Sequence, residues 1–376
     1  MSKQKSDAMG NLPRLEQAIA RSEFDAVIAV SPENVRYCGD VYIASQASLR
    51  DRLALIIWPK GQDPVFLVCW VEASYVRTES WIRDVRTYRE FEESPVDALA
   101  SILRELKLDT AHVAIETEYL AAKYYNRLVE LCPRMKIGEA EPVLARARMF
   151  KTQKEKDTIV AGFHGTEKAF LSTYSSVQVV DTEKAISIRL ADNILLNGAE
   201  MVAFNHINAG SNTGFPHMSA SGNQVRKGDI VKGDCGGFFR EYYSNVARTA
   251  KVGEPTKEEA DAWKRLRDMH HAIIDLCRPG KTGKELFAEA RKRQEGAGFP
   301  FPYSHNGHSI GLSLHERPVI GPNEDIAYEP GMITTVETRH REAGKIGLHM
   351  EDIIEITENG PIWHARYFQN ETIFVI

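Results

Sequence analysis

The sequence lacks the features that mark membrane-spanning, exported and nucleic-acid-binding proteins. No apolar run approaches the roughly 20 residues needed to cross a bilayer, and residues 1–12 are polar, without the apolar core of a signal peptide. Acidic residues outnumber basic ones, 52 to 47, whereas nucleic-acid binding usually needs a clustered basic face. We therefore expect a cytoplasmic protein that binds neither a membrane nor nucleic acid.

Cysteine is also scarce, and its positions form no recognisable pattern. The five cysteines are scattered, odd in number and contain no CxxC pair. They therefore suggest neither a disulfide framework nor a zinc knuckle. A reducing compartment agrees with this usage.

The chain of 376 residues is long enough for two domains. In the first part, short apolar or β-branched runs alternate with segments of helical periodicity, which is typical of an α/β domain that ends near Glu139. A long charged helix is predicted next, at about residues 151–174, as a connection between domains. The predicted strands of the first part are residues 25–30, 53–58, 64–68 and 112–115, and the predicted helices are 96–108 and 121–131.

The second part has clearer helix boundaries. Thr256 with Glu259, and Thr282 with Glu285, match the capping box that begins a helix. The first of these helices should end at Arg278-Pro279-Gly280, because proline removes a donor and glycine permits a reversal. Strands are predicted at residues 229–234, 242–250, 332–337 and 350–357, so helices should pack on a curved, largely antiparallel sheet.

Five polar residues of this part stand in strand-like or glycine-rich surroundings. Asp234 follows an apolar run in GDIVKGDCGG, and Asn245 comes eleven residues later in YYSNVART. His308 lies in HNGHSIGLSLHERP, Glu337 in MITTVET and Glu351 in GLHMEDIIEIT. Any one of them alone would more often be a solvated or structural group, but together they indicate one shared site.

In order, spacing and local context these residues resemble the pita-bread family of creatinase, aminopeptidase P and prolidase. That family carries an aspartate in a strand, a second aspartate about eleven residues on, a histidine in a GHGxG-like segment and two glutamates in the last pair of strands. The resemblance implies an α+β fold in two domains. An N-terminal creatinase-like α/β domain is expected at residues 1–150, and a pita-bread catalytic domain, a curved antiparallel sheet with flanking helices, at residues 151–376.

The resemblance also implies a metal site. In the family, four carboxylates and one histidine hold two divalent ions, which lower the pKa of a shared water and stabilise the tetrahedral centre. Asp234, His308, Glu337 and Glu351 match ligands, and Asn245 falls where the family has its bridging aspartate. Carboxylate oxygens with one imidazole suit divalent ions such as Mn²⁺, Co²⁺, Fe²⁺ or Zn²⁺.

The asparagine leaves the ligand set one carboxylate short. An amide oxygen can coordinate a metal ion, but it is neutral and bridges two cations poorly. Three carboxylates balance one divalent ion well and two only incompletely. We therefore expect no more than one tightly held ion per chain, or none.

Two further histidines match positions that act on the substrate in this family. His217, in GFPHMSAS, and His315, in the HERP segment, correspond to residues that donate hydrogen bonds to the substrate carbonyl and to the tetrahedral intermediate. Creatinase, which works without metal, uses the first of them as its acid/base. With Glu337 or Glu351 as the proton carrier, the resemblance assigns these four residues as catalytic.

Basic residues near the site favour an anionic substrate, such as one with a free carboxylate. Arg339 stands where family peptidases usually have Pro-Gly, and Lys232 and Arg240 flank Asp234. In the N-terminal domain, Arg52 resembles the position at which creatinase uses an arginine from the partner subunit to hold its substrate carboxylate. Because two-domain members of this type are usually two-fold dimers, we predict a homodimer that binds a small molecule or dipeptide.

The resemblance implies an enzyme that hydrolyses a C–N bond in a small peptide or amide, as Xaa-Pro dipeptidase and aminopeptidase P do. The altered position at Asn245 keeps a second hypothesis open. That hypothesis is a specialised non-peptidase such as creatinase or ectoine hydrolase, or a lyase, working with one ion or none. A non-catalytic binding module is the third hypothesis, although such modules usually lose the histidines and glutamates that this chain retains.

Overall fold

The computed structural model describes residues 3–376, and the chain divides into two compact units, Met1–Thr152 and Gln153–Ile376. Each unit has its own sheet. None of the helices found among the described residues is long and apolar enough to cross a bilayer. The two units together form the α+β fold that the sequence predicts.

The N-terminal unit is built on a six-stranded mixed sheet of order β4-β3-β2-β1-β5-β6. β1 runs antiparallel to β2 and parallel to β5, so the sheet combines hairpin and crossover connections. Its elements are α1 (Leu12–Arg21), β1 (Ala26–Ala29), α2 (Pro32–Gly39), α3 (Ala44–Ser48), β2 (Leu55–Pro59), β3 (Val65–Cys69), α4 (Ala73–Glu79), β4 (Asp84–Tyr88), α5 (Pro95–Glu105), β5 (His112–Ile115), α6 (Ala122–Leu131), β6 (Lys136–Glu139) and α7 (Glu141–Arg148).

The apolar runs of the N-terminal sequence are the central strands of this sheet. Every residue of β1, β2 and β3 is buried, which explains why these strands read as continuous apolar runs. The apolar faces of α5 and α6 pack against one side of the sheet through Leu99, Leu103 and Leu128. The predicted α/β pattern ends near Glu139, but α7 extends the unit beyond that residue.

The C-terminal unit contains a ten-stranded sheet whose main path is β12-β11-β13-β14-β10-β8-β7. The neighbours along this path are antiparallel. Its elements are α8 (Gln153–Tyr174), α9 (Glu183–Leu196), β7 (Met201–Ala209), β8 (Ile230–Phe239), β9 (Tyr242–Tyr243), β10 (Val246–Lys251), α10 (Lys257–Leu276), α11 (Gly283–Gly296), β11 (His308–Ser309), β12 (Glu316–Val319), β13 (Ile333–Glu342), β14 (Ile346–Thr357), β15 (Gly360–Trp363) and β16 (Phe374–Val375).

Both predicted capping boxes are confirmed at the starts of α10 and α11. Thr256 and Glu259 satisfy each other's backbone amides at the first helix, and Thr282 and Glu285 do so at the second. α10 ends at Leu276, just before the predicted stop.

The helix α8 differs from its predicted role. Its bounds match the prediction closely, but it belongs to the C-terminal unit and is not a connection between units. Phe163, Phe170 and Tyr174 are fully buried there, and the Tyr174 hydroxyl donates to the backbone carbonyl of Arg248 on β10. The many charged residues of α8 suggested a solvent-exposed helix, although one of its faces is apolar and buried.

Candidate active site

Antiparallel pairing places three carboxylates in one row across the C-terminal sheet. Asp234 on β8 and Glu351 on β14 both lie opposite Ala247 of β10, and Glu351 is paired with Glu337 of β13. Residues directly opposite each other in such a sheet point to the same face. β8 continues to Phe239, so Asp234 lies in the middle of its strand and not at the predicted end.

A second row of polar residues lies two positions along the same strands, and therefore on the same face. Thr249 on β10 lies opposite Lys232 on β8, and its hydroxyl donates to the backbone carbonyl of His349 on β14. His349 is paired with Arg339 on β13, and Arg341 follows two residues later. The local sequence around Glu337 indicated Arg339, but nothing in it indicated His349 or Arg341.

His308 on β11 joins Glu337 and Glu351 to form a compact group of potential ligands. One ligand atom from each of the three lies within 4.8 Å of the others, and all three side chains are buried. His308 Nε2 is 3.6 Å from one oxygen of each glutamate. Among the described residues this Nε2 has no hydrogen-bond partner, whereas Nδ1 lies 3.0 Å from the carbonyl oxygen of Ser309. An Nδ1–H bond to that carbonyl leaves the Nε2 lone pair directed at the two carboxylates.

Asn245 lies beside this group, in the break between β9 and β10. Its Nδ2 donates to Glu351 Oε1 at 2.8 Å, while its Oδ1 is buried and has no hydrogen-bond partner within residues 3–376. A buried imidazole nitrogen and a buried amide oxygen, both unpartnered and next to two carboxylates, are a donor set that suits one divalent ion. The residues present therefore fit a divalent metal ion.

Asp234 lies next to a second histidine. Its Oδ2 is 3.7 Å from Nδ1 of His349, and His349 Nε2 is 3.6 Å from Glu337 Oε2 and 4.0 Å from Glu351 Oε2. Burial, together with Arg341 and Arg339, lowers the pKa of His349 well below its ordinary value. The imidazole is therefore neutral at physiological pH, and it lies between Asp234 and the two glutamates.

Glu351 shows how unfavourable its surroundings are for a bare negative charge. Burial and the nearby charge of Asp234 raise the pKa of Glu351 well above its ordinary value. A buried carboxylate of this kind needs a proton or a cation to balance it. A divalent ion between His308, Glu337 and Glu351 would provide that charge.

Two guanidinium groups face the same carboxylates. Arg339 forms a close ion pair with Glu337 and donates from Nη2 to the His305 carbonyl at 2.7 Å. Arg341 forms no ion pair with a carboxylate among the described residues, and its Nη2 lies 3.4 Å from His349 Nδ1. Burial lowers the pKa of both guanidinium groups. For Arg339, burial and then the nearby charge of Arg341 lower the pKa to about 10. Both stay protonated at neutral pH.

A cavity of about 690 Å³ opens over this face of the sheet. Its mouth contains the two histidines that the sequence selected, His217 and His315, both exposed. The His315 ring stacks on that of His308 with centroids 3.9 Å apart, and the His217 ring lies 5.3 Å from that of His206. The structure thus brings both predicted histidines to the cavity that the carboxylates line. Its other lining residues include Phe204, Asp234, Asn245, Tyr303, His305, Glu337, Arg339 and Arg341.

Lys232 holds the segment that carries His217. The Lys232 amine is fully buried and donates to the carbonyl oxygens of Thr213 at 3.0 Å and Phe215 at 2.6 Å. Burial, with the charge of Arg341, lowers its pKa to about 8. Lys232 therefore positions the loop, and Arg240, at the exposed turn after β8, lies outside the cavity lining.

The predicted substrate-binding residue Arg52 lies in the N-terminal unit. Its guanidinium forms ion pairs with Glu90 at 2.5 Å and with Glu72 at 3.6 Å. These two carboxylates of the N-terminal unit therefore already balance the charge of Arg52.

With this geometry in place, comparison with known proteins identifies the family. Residues 164–358, more than half of the chain, match the model of Metallopeptidase family M24, and residues 12–150 match the Creatinase/Prolidase N-terminal domain. The chain belongs to metallopeptidase family M24. As a member of the prolidase branch of this family, it is a metal-dependent hydrolase.

Two relatives and one solved structure align with more than half of the chain. An Xaa-Pro dipeptidase of Lactobacillus delbrueckii subsp. lactis is 26% identical over 361 residues, covering 94% of this chain and 97% of that protein. The probable dipeptidase PepE of Mycobacterium tuberculosis (strain ATCC 25618 / H37Rv) is 32% identical over 225 residues, 59% of this chain and 60% of that protein. The crystal structure of the dipeptidase PepE from Mycobacterium ulcerans has a TM-score of 0.85 at 26% identity, covering 97% of both chains.

Proposed function

We propose that this protein hydrolyses a C–N bond in a small peptide or amide that carries a free carboxylate, with Xaa-Pro dipeptides as the first candidates. Relatives that align along nearly the whole chain are named Xaa-Pro dipeptidases, which supports this substrate class. The cavity volume of about 690 Å³ suits a dipeptide-sized ligand.

The observation that carries the proposal is the guanidinium of Arg341. It lines the cavity, has no carboxylate partner among the described residues, and its Nε is buried without a hydrogen-bond partner. Leaving such a cation unpaired is costly, because burial removes part of its hydration. A guanidinium binds a carboxylate through two parallel hydrogen bonds, so a substrate carboxylate would supply the missing partner.

The chain's own residues have distinct roles in this proposal. Arg341 orients the substrate by its carboxylate, and His217 and His315 at the cavity mouth donate hydrogen bonds to the oxygen that becomes negatively charged. Glu337 or Glu351 accepts a proton from the attacking water and passes it to the leaving nitrogen.

The metal site in this proposal is formed by His308, Glu337, Glu351 and the amide oxygen of Asn245, and it holds no more than one ion. Mn²⁺, Co²⁺, Fe²⁺ and Zn²⁺ are all compatible with one imidazole and carboxylate oxygens. When bound, the ion would supply a more acidic water and an electrophile for the carbonyl oxygen.

A comparison of alanyl-proline with its C-terminal amide tests the proposal. We expect kcat/KM for the dipeptide to exceed that for the amide by about 10²-fold, because only the dipeptide offers a carboxylate to Arg341. Arg341→Met should remove most of this preference, and Arg240→Met, which changes an exposed arginine, should keep it. Equal rates on both substrates would contradict the proposal.

A second candidate is a specialised non-peptidase that works without metal, in the manner of creatinase. The specific observation in its favour is the ion pair between Arg339 and Glu337, which gives this carboxylate a cation of its own. A chelator separates the two candidates. Turnover that persists after complete metal removal would favour the metal-independent non-peptidase.

A further inference from the structure

Arg339 is held inside the ligand group by contacts on several sides. Nη1 contacts Glu337, Nη2 donates to the His305 carbonyl at 2.7 Å, and the guanidinium lies 4.7 Å from the centre of the Tyr303 ring. The Arg339 carbonyl accepts a hydrogen bond from Gln294 Nε2 at 3.0 Å, which fixes the backbone. Only 6% of Arg339 is exposed. The guanidinium is therefore part of the buried site and not a mobile surface group.

The position of this cation matters because it shares a ligand with the metal site. Glu337 offers Oε1 to His308 and Oε2 to Arg339, so a metal ion that used both oxygens of Glu337 would displace the guanidinium. Asn245 cannot offset this loss, because its Nδ2 already donates to Glu351 and its side chain carries no charge.

The charges on this face of the sheet also argue against two metal ions. Around the ligand group, three carboxylates (Asp234, Glu337 and Glu351) stand against the guanidinium groups of Arg339 and Arg341, while the Lys232 amine on the same face donates to loop carbonyls. One divalent ion changes the balance from slightly negative to slightly positive. A second would leave a large uncompensated positive charge in a poorly hydrated site, which is strongly unfavourable.

We propose that Arg339 takes the place of a second divalent ion at Oε2 of Glu337, so that one guanidinium and no more than one metal ion balance the site. This inference concerns the charge of the site and does not depend on which substrate is hydrolysed. It is tested by metal binding alone, whereas the proposed function is tested by turnover.

The first experiment measures Mn²⁺ affinity by isothermal titration calorimetry on chelator-stripped, dialysed protein. Arg339→Met should bind Mn²⁺ at least about tenfold more tightly than wild type, because Glu337 loses its competing cation. The matched control is Arg341→Met, which removes a neighbouring guanidinium that forms no ion pair with a carboxylate in the part of the chain that the structure describes, and its affinity should rise less than about threefold. If Arg339→Met binds no more tightly than Arg341→Met, or if neither variant nor wild type binds Mn²⁺, the proposal is overturned.

The second experiment keeps Arg339 in place and therefore does not depend on the folding of its variant. Asn245→Asp supplies a further carboxylate beside Glu351, and its Mn²⁺ content after equilibrium dialysis gives the number of ions per chain. We expect no more than one, because the guanidinium still occupies Glu337. Two ions in Asn245→Asp would show that the missing carboxylate alone limits the site, and would overturn the proposal.

Discussion

At the residue scale, burial separates the two most important histidines of the site. His308 is 1% exposed and faces two carboxylates, as a metal ligand does, whereas His217 is exposed at the cavity mouth, where a substrate would meet it. A ligand and a hydrogen-bond donor respond differently to removal. Their variants therefore test whether the site is metal-dependent.

We predict that His308→Ala loses both metal binding and turnover, because water replaces an imidazole ligand poorly. His217→Ala should keep its metal content and lose roughly 10²–10³-fold in kcat, the usual effect of one oxyanion donor. Metal analysis and steady-state kinetics on both variants check this. The opposite ranking, with His217→Ala nearly inactive and chelators without effect, would point to the creatinase-like alternative.

The sequence predicted the residues that stand in distinctive local contexts, but not those whose role depends on strand register. His308, Glu337 and Glu351 could be selected because each lies in a recognisable segment, and the structure places them together. His349 and Arg341 could not be selected, because one predicted strand ended at residue 337 and the next began at residue 350. The alternation of side chains from Glu337 and Glu351 would have found both, had the hairpin been predicted at its full length.

At the scale of elements, the segment that carries His217 depends on the first turn of α9. Glu183 is fully buried and accepts hydrogen bonds from the Ala209 amide at 2.8 Å, from Asn212 Nδ2 at 2.9 Å and from the Ser221 hydroxyl at 2.6 Å. These contacts fix the chain on both sides of His217. Neither α9 nor β7 could be predicted from the sequence, since their mixed polar and apolar residues show no clear period.

We predict that Glu183→Ala lowers the free energy of unfolding of the C-terminal unit by about 2–4 kcal/mol, because it leaves several buried donors without an acceptor. Glu183→Gln, which keeps the volume and one acceptor, should cost less. Urea unfolding at neutral pH, followed by circular dichroism, measures both. Equal stability of Glu183→Ala and wild type would contradict this role.

The same carboxylate should make stability depend on pH. Burial raises the pKa of Glu183, but the hydrogen bonds from Ser221, Ala209 and Asn212 outweigh it and leave the pKa below its ordinary value of 4.5. Its contribution is therefore complete above about pH 4.5 and is lost as the pH falls through the lower folded-state value. We predict that the difference in melting temperature between wild type and Glu183→Gln shrinks below pH 4.5. A constant difference from pH 7 to pH 4 would contradict this.

At the scale of the whole molecule, we propose a homodimer. Besides the family resemblance, the N-terminal unit exposes several large apolar side chains: Leu49, Trp70, Val71, Tyr75 and Phe91, the last of them 98% exposed. Trp70, Val71 and Tyr75 lie close together along two successive short helices, and clustered exposed apolar side chains are typical of an interaction site. Light scattering at micromolar concentration should give about twice the chain mass of 42.3 kDa. A mass of one chain would contradict the dimer.

The central claim is that this site hydrolyses its substrate with no more than one metal ion per chain. The most direct test is to add Mn²⁺ stepwise to chelator-stripped protein and to follow alanyl-proline hydrolysis at each step. Because Arg339 pairs with Glu337 and Asn245 carries no charge, we predict that turnover reaches its maximum at one equivalent of Mn²⁺ per chain. Turnover that continues to rise through a second equivalent would contradict the account.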